Sequence, residues 1–326
     1  MTAREYPVFT VTPKAERSLR AGHPWVYGEE VTAVEGAYQN GDMVDVVSNK
    51  GRYLGTGWVN DHSKIRVRII SRNANDTFDE AFFRRRVCYA LNYRKTVMGP
   101  VDYRCCRLIF GEADQFPGLT VDRFENILVT QVLSLGMERR KDWVYRALVE
   151  LLREDGEQID AIYERNDVTI RTLEGLEQGK GFYQMEGLRT DLSGHVTITE
   201  NGIKYDVDYI EGQKTGFFLD QKYNRQAAAK LARGRRVLDC FTHTGAFALN
   251  AAAAGAEHVT AVDVSAFALE LAAENGKRNG LTNLDYKCAD VFDLLTEMAK
   301  EKKCDYDYII LDPPAFTKSR ATAKNA

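Results

Sequence analysis

Four aspartates near the end of the chain have the spacing of a ligand site. Asp239, Asp263, Asp290 and Asp312 each close a short, β-prone segment, and a helical stretch follows each of the first three. The intervals are 24, 27 and 22 residues, about the length of one strand–helix unit. Such units build a parallel sheet, and ligands bind at the carboxyl ends of its strands. The four carboxylates are therefore predicted to line one crevice.

The loop after the first of these strands separates two classes of ligand. A dinucleotide site needs G-x-G-x-x-G, so that backbone amides can approach a pyrophosphate. The loop at residues 241–247 contains one glycine, Gly245, and nothing in it cradles a diphosphate. A ligand with a cationic centre and a ribose diol suits the carboxylates, and S-adenosylmethionine has both.

The order of the carboxylates assigns them to parts of this cofactor. Asp239 and Gly245 are predicted near the methionine part. Asp263 is predicted to accept hydrogen bonds from the ribose hydroxyls, and Asp290 to meet the adenine amino group. The alternative is that each aspartate merely caps the helix that follows it.

Three motifs resemble those of the ribosomal RNA large subunit methyltransferase I family. Residues 239–245 are similar to motif I of class I methyltransferases, and residues 311–316 are similar to motif IV. Residues 211–225 (Glu-Gly-Gln-Lys-Thr-Gly-Phe-Phe-Leu-Asp-Gln-Lys-Tyr-Asn-Arg) resemble the family's long motif X, which is the most specific match. The resemblance covers the whole chain. It implies an S-adenosylmethionine-dependent enzyme that methylates C5 of a cytosine in large-subunit ribosomal RNA.

The resemblance also implies an α/β protein of three domains, which agrees with the length of 326 residues. They are a PUA-like small β-barrel that binds RNA at residues 1–73, a middle α+β module at 74–190, and a Rossmann-like class I methyltransferase domain at 191–326. Short strands with turns between them at residues 43–70 favour the barrel. The methyltransferase domain is expected to be C-terminally incomplete, because only four strand–helix units follow motif X, whereas a class I sheet normally has seven strands.

Local patterns predict the elements around these motifs. Residues 79–94 read as an amphipathic helix with acids at its start, and a second helix is predicted at about 137–153. Asn201-Gly202 between two alternating segments is a hairpin signal. Residues 309–311 form a continuous apolar run, which predicts a strand buried on both faces.

Composition favours a cytoplasmic protein. No window approaches about 18 uninterrupted apolar residues, and the first residues lack the apolar region of a signal peptide. The six cysteines have no regular spacing, so neither a disulfide framework nor a metal site is expected. The expected partners are large-subunit ribosomal RNA and, because dimers are common among such enzymes, a second copy of the chain.

The resemblance assigns cofactor contacts to motif X and to the strand ends. The residues are Lys214, Thr215, Phe217, Leu219, Asn224, Asp239, Phe241, Thr242, Gly245, Asp263, Val264, Asp290, Val291 and Asp312.

RNA contacts are predicted in the N-terminal third. Residues 1–110 carry 17 Lys and Arg against 12 Asp and Glu, whereas residues 111–326 carry 27 against 35. This asymmetry is typical of an RNA-binding module beside a cofactor-binding domain. Lys64, Arg66 and Arg68 share one face of a predicted strand and could follow a phosphate backbone. The alternative is an ordinary solvated face.

The catalytic prediction centres on Asp312, Pro313 and Pro314. The two prolines remove amide donors and force an extended turn, so backbone carbonyls and Asp312 can accept hydrogen bonds from an exocyclic amine. C5 of cytosine is a poor nucleophile until a thiolate adds to C6. In the family that cysteine follows motif IV, and it is therefore expected beyond residue 326. Cys240, Cys288 and Cys304 are not predicted to replace it.

Two other functions stay open. A guanine or adenine amino-methyltransferase is one, although Ala315 separates Asp312-Pro313-Pro314 from Phe316, and in such enzymes the stacking aromatic residue follows directly. The other is an RNA-binding module whose methyltransferase domain binds cofactor without catalysis.

Overall fold

The computed structural model describes residues 5–302 and 305–314. The chain divides into two compact units. The first holds the residues up to 196 together with 208–217, and the second holds 197–207 together with those from 218 onward. Within the described part, no helix is both long enough and apolar enough to cross a bilayer.

The first unit begins with a six-stranded mixed sheet. Its order is β2-β6-β5-β4-β1-β3, and only β1 and β4 run parallel. The helix of this sheet, Pro13–Arg20, is capped by Thr12, whose hydroxyl accepts the Ala15 N–H at 3.3 Å. Pro13 occupies the first helical position, where a backbone N–H has no partner within the helix. The elements are β1 (Val8–Val11), α1 (Pro13–Arg20), β2 (Trp25–Tyr27), β3 (Val31–Glu35), β4 (Met43–Ser48), β5 (Tyr53–Val59) and β6 (Ile65–Ser71).

The middle module of the same unit is a five-stranded sheet covered by helices. The strand order is β11-β10-β9-β8-β7, with β9 and β10 parallel. The two longest helices bury their apolar faces in one large core, close to the positions that the sequence predicted. The elements are α2 (Glu80–Val97), α3 (Pro100–Tyr103), β7 (Cys105–Phe110), β8 (Leu119–Phe124), β9 (Ile127–Val132), α4 (Leu135–Glu138), α5 (Lys141–Glu154), β10 (Ala161–Arg165) and β11 (Lys180–Phe182).

One core joins the N-terminal sheet to the middle module. Trp58 of β5 is buried among the side chains of α2 and α5. Gly136 lies so close to the Trp58 ring that a Cβ at residue 136 would stand 2.0 Å from it. The N-terminal sheet and the middle module therefore share a hydrophobic core and are not separate domains joined by a flexible linker.

The second unit contains a hairpin and a parallel sheet of strand–helix units. Asn201 and Gly202 both have positive φ, 54° and 82°, so the Asn-Gly hairpin prediction is confirmed. The elements are β12 (His195–Glu200), β13 (Ile203–Asp208), α6 (Lys222–Ala229), β14 (Arg236–Cys240), α7 (Ala246–Ala253), β15 (His258–Asp263), α8 (Ala266–Arg278), β16 (Leu284–Cys288), α9 (Val291–Glu301) and β17 (Tyr308–Leu311).

The parallel sheet has the order β16-β15-β14-β17. The strands β14, β15 and β16 are added one after another on one side, and β17 then pairs with the other side of β14, so the strand order reverses there. Ligands bind beside such a reversal point. The prediction that residues 309–311 are buried on both faces is wrong. Ile310 packs in the core, but Ile309 and Leu311 are 45% and 58% exposed. Ile309 and Leu311 share one face of β17, and within the described part of the chain that face is largely uncovered, whereas the opposite face with Ile310 packs in the core.

Candidate functional site

The strand ends of the second unit meet at one edge of the sheet. Cys240 lies opposite both Val262 and Leu311, so the ends of β14, β15 and β17 are level. Cys288 pairs with Asp263 in the same way. Asp239, Asp290 and Asp312 lie within two residues of these ends, and Asp263 is itself one of them. The four aspartates are therefore at the same edge.

Asp239 is turned inward and organises the motif I loop. Its carboxylate is buried, and Oδ2 accepts the Thr242 hydroxyl at 2.5 Å and the Ala248 N–H at 2.9 Å. Burial raises the pKa of Asp239 to about 7, although both hydrogen bonds act in the opposite direction. This side chain therefore joins the end of β14 to the first turn of α7.

The motif I loop follows an unusual backbone path. Phe241 and His243 have positive φ (60° and 52°), a conformation that costs a residue with a side chain free energy. Gly245 also has positive φ, and a Cβ there would lie 2.8 Å from that of Ala272. Glycine is required at Gly245 because α7 packs this closely on α8.

Asp263 closes the same loop from the next strand. Its Oδ2 accepts the His243 N–H at 2.8 Å, and Oδ1 accepts the Ser265 N–H at 2.9 Å. Ser265, not Asp263, caps α8, so the capping alternative is wrong for this aspartate. Each carboxylate oxygen has a second lone pair, which leaves acceptor capacity for ligand hydroxyls.

Asp290 does cap a helix. Its Oδ1 accepts the N–H groups of Phe292 and Asp293 at 2.8 and 3.2 Å, at the start of α9. The capping alternative therefore holds for Asp290, and the residues that would follow a cap at Asp312 lie outside the described part of the chain. Val291 is buried in the core beneath α9, so its side chain faces away from solvent.

Two apolar side chains beside these carboxylates are exposed. Val264 follows Asp263 and is 73% exposed, and Phe292 follows Val291 and is 57% exposed. Phe292 also packs against Phe241, with ring centroids 6.0 Å apart. The sequence predictions missed Phe292, although its position two residues after Asp290 was the available signal. Carboxylates that accept hydrogen bonds from the ribose hydroxyls and the adenine amino group, beside apolar faces for the adenine ring, are the groups that the predicted cofactor needs.

Motif X is divided between the two units. In the first unit Thr215 is buried and donates its hydroxyl to Asp122 at 2.6 Å, while Lys214 has a positive φ of 53° and Phe217 is buried. In the second unit Leu219 is buried, and Asn224 is exposed and donates to Gln221. Asp122 was not among the sequence-predicted residues.

A buried ion pair supports the second part of motif X. Arg225 donates to Glu200 at 2.6 Å and to the Phe218 carbonyl at 2.8 Å. The Phe218 ring meets the His243 ring edge to face at 5.6 Å. Burial lowers the pKa of His243, although Asp263 acts in the opposite direction. The imidazole of His243, within motif I, is therefore neutral at pH 7.

The predicted catalytic residues follow β17. Asp312, Pro313 and Pro314 are all exposed. Ala315, Phe316 and Cys304 lie outside the described residues. Cys240 is buried, and burial, together with Asp239, raises the pKa of its thiol to about 11, so it is protonated at neutral pH.

The predicted RNA face on β6 is partly occupied by the chain's own acids. Arg68 is buried and donates to Glu174 at 2.7 Å, and Arg66 donates to Asp61 at 2.8 Å. Lys64 is exposed. RNA contact at these three residues stays a prediction. Lys64 is the most exposed of the three cationic side chains.

The positive excess of residues 1–110 is concentrated in the part that belongs to the middle module. Residues 84–110 carry seven Lys and Arg and one acid, which exceeds the whole surplus of residues 1–110. Every one of the seven forms an ion pair with an acid outside 84–110. The surplus therefore belongs to α2 and β7 of the middle module and is balanced in the fold. Among the described residues, no cluster of His, Cys, Asp and Glu is arranged as a metal site.

Comparison with known proteins gives the family. The family model of a PUA-like domain matches residues 9–72, and that of an S-adenosylmethionine-dependent methyltransferase matches residues 183–324. A protein of Alteromonas mediterranea named ribosomal RNA large subunit methyltransferase I is 40% identical over 316 residues, 96% of this chain and 77% of that protein. The chain belongs to this family. Its Shewanella denitrificans member is 42% identical over 318 residues, 96% of this chain and 77% of that protein.

Solved structures agree on the fold. A putative S-adenosylmethionine-dependent methyltransferase from Streptococcus mutans has a TM-score of 0.78 at 23% identity, covering 98% of this chain and 80% of that one. A putative methyltransferase complexed with SAH has a TM-score of 0.78 at 24% identity, covering 96% and 77%. Membership of the family confirms the predicted family resemblance, the PUA-like and class I methyltransferase folds, and S-adenosylmethionine as the cofactor.

Proposed function

We propose that this methyltransferase transfers the methyl group of S-adenosylmethionine to C5 of a cytosine in large-subunit ribosomal RNA. The observation that carries the proposal is the 40–42% identity, over 96% of the chain, with proteins named ribosomal RNA large subunit methyltransferase I. The PUA-like match at residues 9–72 supports an RNA substrate. A ribosomal RNA substrate puts the activity in the cytoplasm.

The cofactor would supply an electrophilic methyl group at the strand ends. In the proposal, Asp263 accepts hydrogen bonds from the ribose hydroxyls, while Val264 and Phe292 flank the adenine. Asp290 holds the first turn of α9 and presents its carboxylate toward the adenine amino group. Asp239 acts by fixing the motif I loop rather than by direct contact, because its Oδ2 is engaged inside the protein. The other assigned contacts of motifs I and X are kept as part of the proposal, apart from Thr215, whose hydroxyl donates to Asp122 inside the protein.

Asp312, Pro313 and Pro314 would receive the target base. Both prolines lack an N–H, so this segment offers acceptors to the exocyclic amine of cytosine. The base must leave its stack to reach such a segment, as in other enzymes that modify bases in place. A thiolate must also add to C6 before C5 can attack. Cys240 is not expected to supply this thiolate, because its buried thiol is protonated at neutral pH.

The test is a methyl-transfer assay with radiolabelled S-adenosylmethionine and large-subunit ribosomal RNA, followed by mass spectrometry of the nucleosides. The expected product is 5-methylcytidine. Label in an N-methylated guanosine or adenosine would establish the amino-methyltransferase alternative instead. Binding of RNA and cofactor without label transfer would favour the non-catalytic alternative. Sedimentation of the same protein tests the proposed homodimer.

A further inference from the structure

The segment of residues 208–217, which contains the first part of motif X (residues 211–217), is folded tightly on itself. The Asp208 Oδ1 accepts the N–H groups of Ile210 and Glu211 at 2.9 and 2.8 Å, and its carbonyl accepts the Gly212 N–H at 3.1 Å. A Cβ at Gly212 would lie 2.2 Å from that carbonyl, so only glycine fits. The loop therefore has one defined backbone path.

A buried hydrogen bond attaches the tip of this loop to the middle module. Thr215 donates its hydroxyl to Asp122 at 2.6 Å, and both residues are at most 1% exposed. Asp122 lies in β8, directly opposite Arg107 of β7, which donates to it twice at 2.8 and 2.9 Å. The acceptor is thus a fixed carboxylate whose charge is already compensated.

Arg165 holds the base of the same loop. From the end of β10 its guanidinium donates to the carbonyls of Gly212 at 2.8 Å and Tyr209 at 3.3 Å. Its other nitrogens donate to Asp167, and these bonds lower the pKa of that carboxyl although partial burial acts in the opposite direction. The middle module therefore contacts the loop at two separate points, the Thr215 hydroxyl and the backbone carbonyls of Tyr209 and Gly212.

The backbone beside Thr215 would not keep its shape without support. Lys214 has a φ of 53°, and Gly216 has a φ of 119°. A lysine in the left-handed region is retained only where surrounding contacts determine it. The Thr215 hydroxyl bond lies between these two residues, and three positions later the chain enters the segment that Arg225 holds through the Phe218 carbonyl.

We propose that Thr215 is a positioning residue of the cofactor site, and that the function of the middle module is to set the conformation of motif X. The Thr215 hydroxyl acts on Asp122 rather than on the cofactor, and it orders the loop that the cofactor meets. This inference rests on the proposed function, since the cofactor role of motif X comes from there.

The test compares two substitutions at residue 215 in the full 326-residue chain. Thr215→Val keeps the shape but removes the hydroxyl, and leaves the Asp122–Arg107 pair intact. Thr215→Ser keeps the hydroxyl. The matched control is Thr130→Val, which removes an equally buried hydroxyl bond, Thr130 to Tyr145 at 2.8 Å, within the same module but not to the loop.

Two measurements are made on each protein: calorimetric titration with S-adenosylmethionine, and hydrogen–deuterium exchange of residues 208–217. Thr215→Val should weaken cofactor binding about tenfold, the equivalent of one buried hydrogen bond, and speed exchange at Gly212 and Gly216. Thr215→Ser and Thr130→Val should match the unmodified chain in both measurements.

Different outcomes refute the positioning role of Thr215 and the proposed function. Unchanged affinity of Thr215→Val, or an equal loss in Thr130→Val, would overturn the positioning role while the unmodified chain still binds cofactor. Absence of cofactor binding by the unmodified chain would instead refute the proposed function, and the inference with it. Rapid exchange of the loop in the unmodified chain would show that the anchor does not order it.

Discussion

The most direct test of the motif I geometry is the substitution Asp239→Asn. The side chain is 1% exposed, and its Oδ2 accepts both the Thr242 hydroxyl and the Ala248 N–H. The single carbonyl oxygen of asparagine can accept the same two hydrogen bonds. The substitution therefore removes the titration of residue 239 and leaves the loop contacts in place.

The magnitude follows from the change in pKa on folding. Burial raises the pKa of Asp239 from 3.8 to about 7, so the folded chain holds this proton more tightly than the unfolded chain. Its contribution to stability is complete below pH 3.8 and falls as the pH rises toward 7. Three pH units at about 1.4 kcal/mol each correspond to a loss on the order of 4 kcal/mol above pH 7.

The assay is urea denaturation of both proteins at pH 5, 7 and 9. The free energy of unfolding of the unmodified chain should fall relative to that of Asp239→Asn across this range. The asparagine variant should be the more stable protein at pH 9 by several kcal/mol. Parallel stability curves for the two proteins would show that Asp239 does not carry a raised pKa, and that its burial does not control this loop.

Three further predictions concern the cofactor, the core of the second unit and the RNA. Asp263→Ala should weaken S-adenosylmethionine binding by roughly 1.5–3 kcal/mol, measured by calorimetry, and unchanged affinity would remove Asp263 from the site. Glu200→Gln removes the buried carboxylate that pairs with Arg225 and should lower the free energy of unfolding by about 3–5 kcal/mol, whereas a loss below 1 kcal/mol would contradict the buried pair. Lys64→Ser should reduce the salt dependence of ribosomal RNA binding by about one released ion. Arg68→Ser should mainly reduce stability, because Arg68 pairs with buried Glu174. Equal salt slopes for Lys64→Ser and the unmodified chain would show that this face is only solvated.

The sequence determined the elements and the order in which they meet the ligand. Periodicity and turn chemistry are local properties, so the helix at Glu80–Val97, the hairpin at Asn201-Gly202 and the strands of the methyltransferase sheet were all predictable. The common edge of Asp239 and Asp263 also followed, because successive strand–helix units form a parallel sheet whose carboxyl ends coincide. Motif X and motif I sufficed for the family.

The tertiary structure alone decided which partner each polar group has. Thr215 and Asp122 are 93 residues apart, and Arg68 and Glu174 are 106 apart, so no local pattern could pair them. The same limit applies to the positive surplus of residues 1–110, because a count of charges does not show which ones the fold compensates. Likewise, an apolar run such as residues 309–311 records hydrophobicity but not whether a neighbouring element covers each face. A sequence specifies which faces are apolar and which groups need partners, and folding brings together the distant residues that satisfy them.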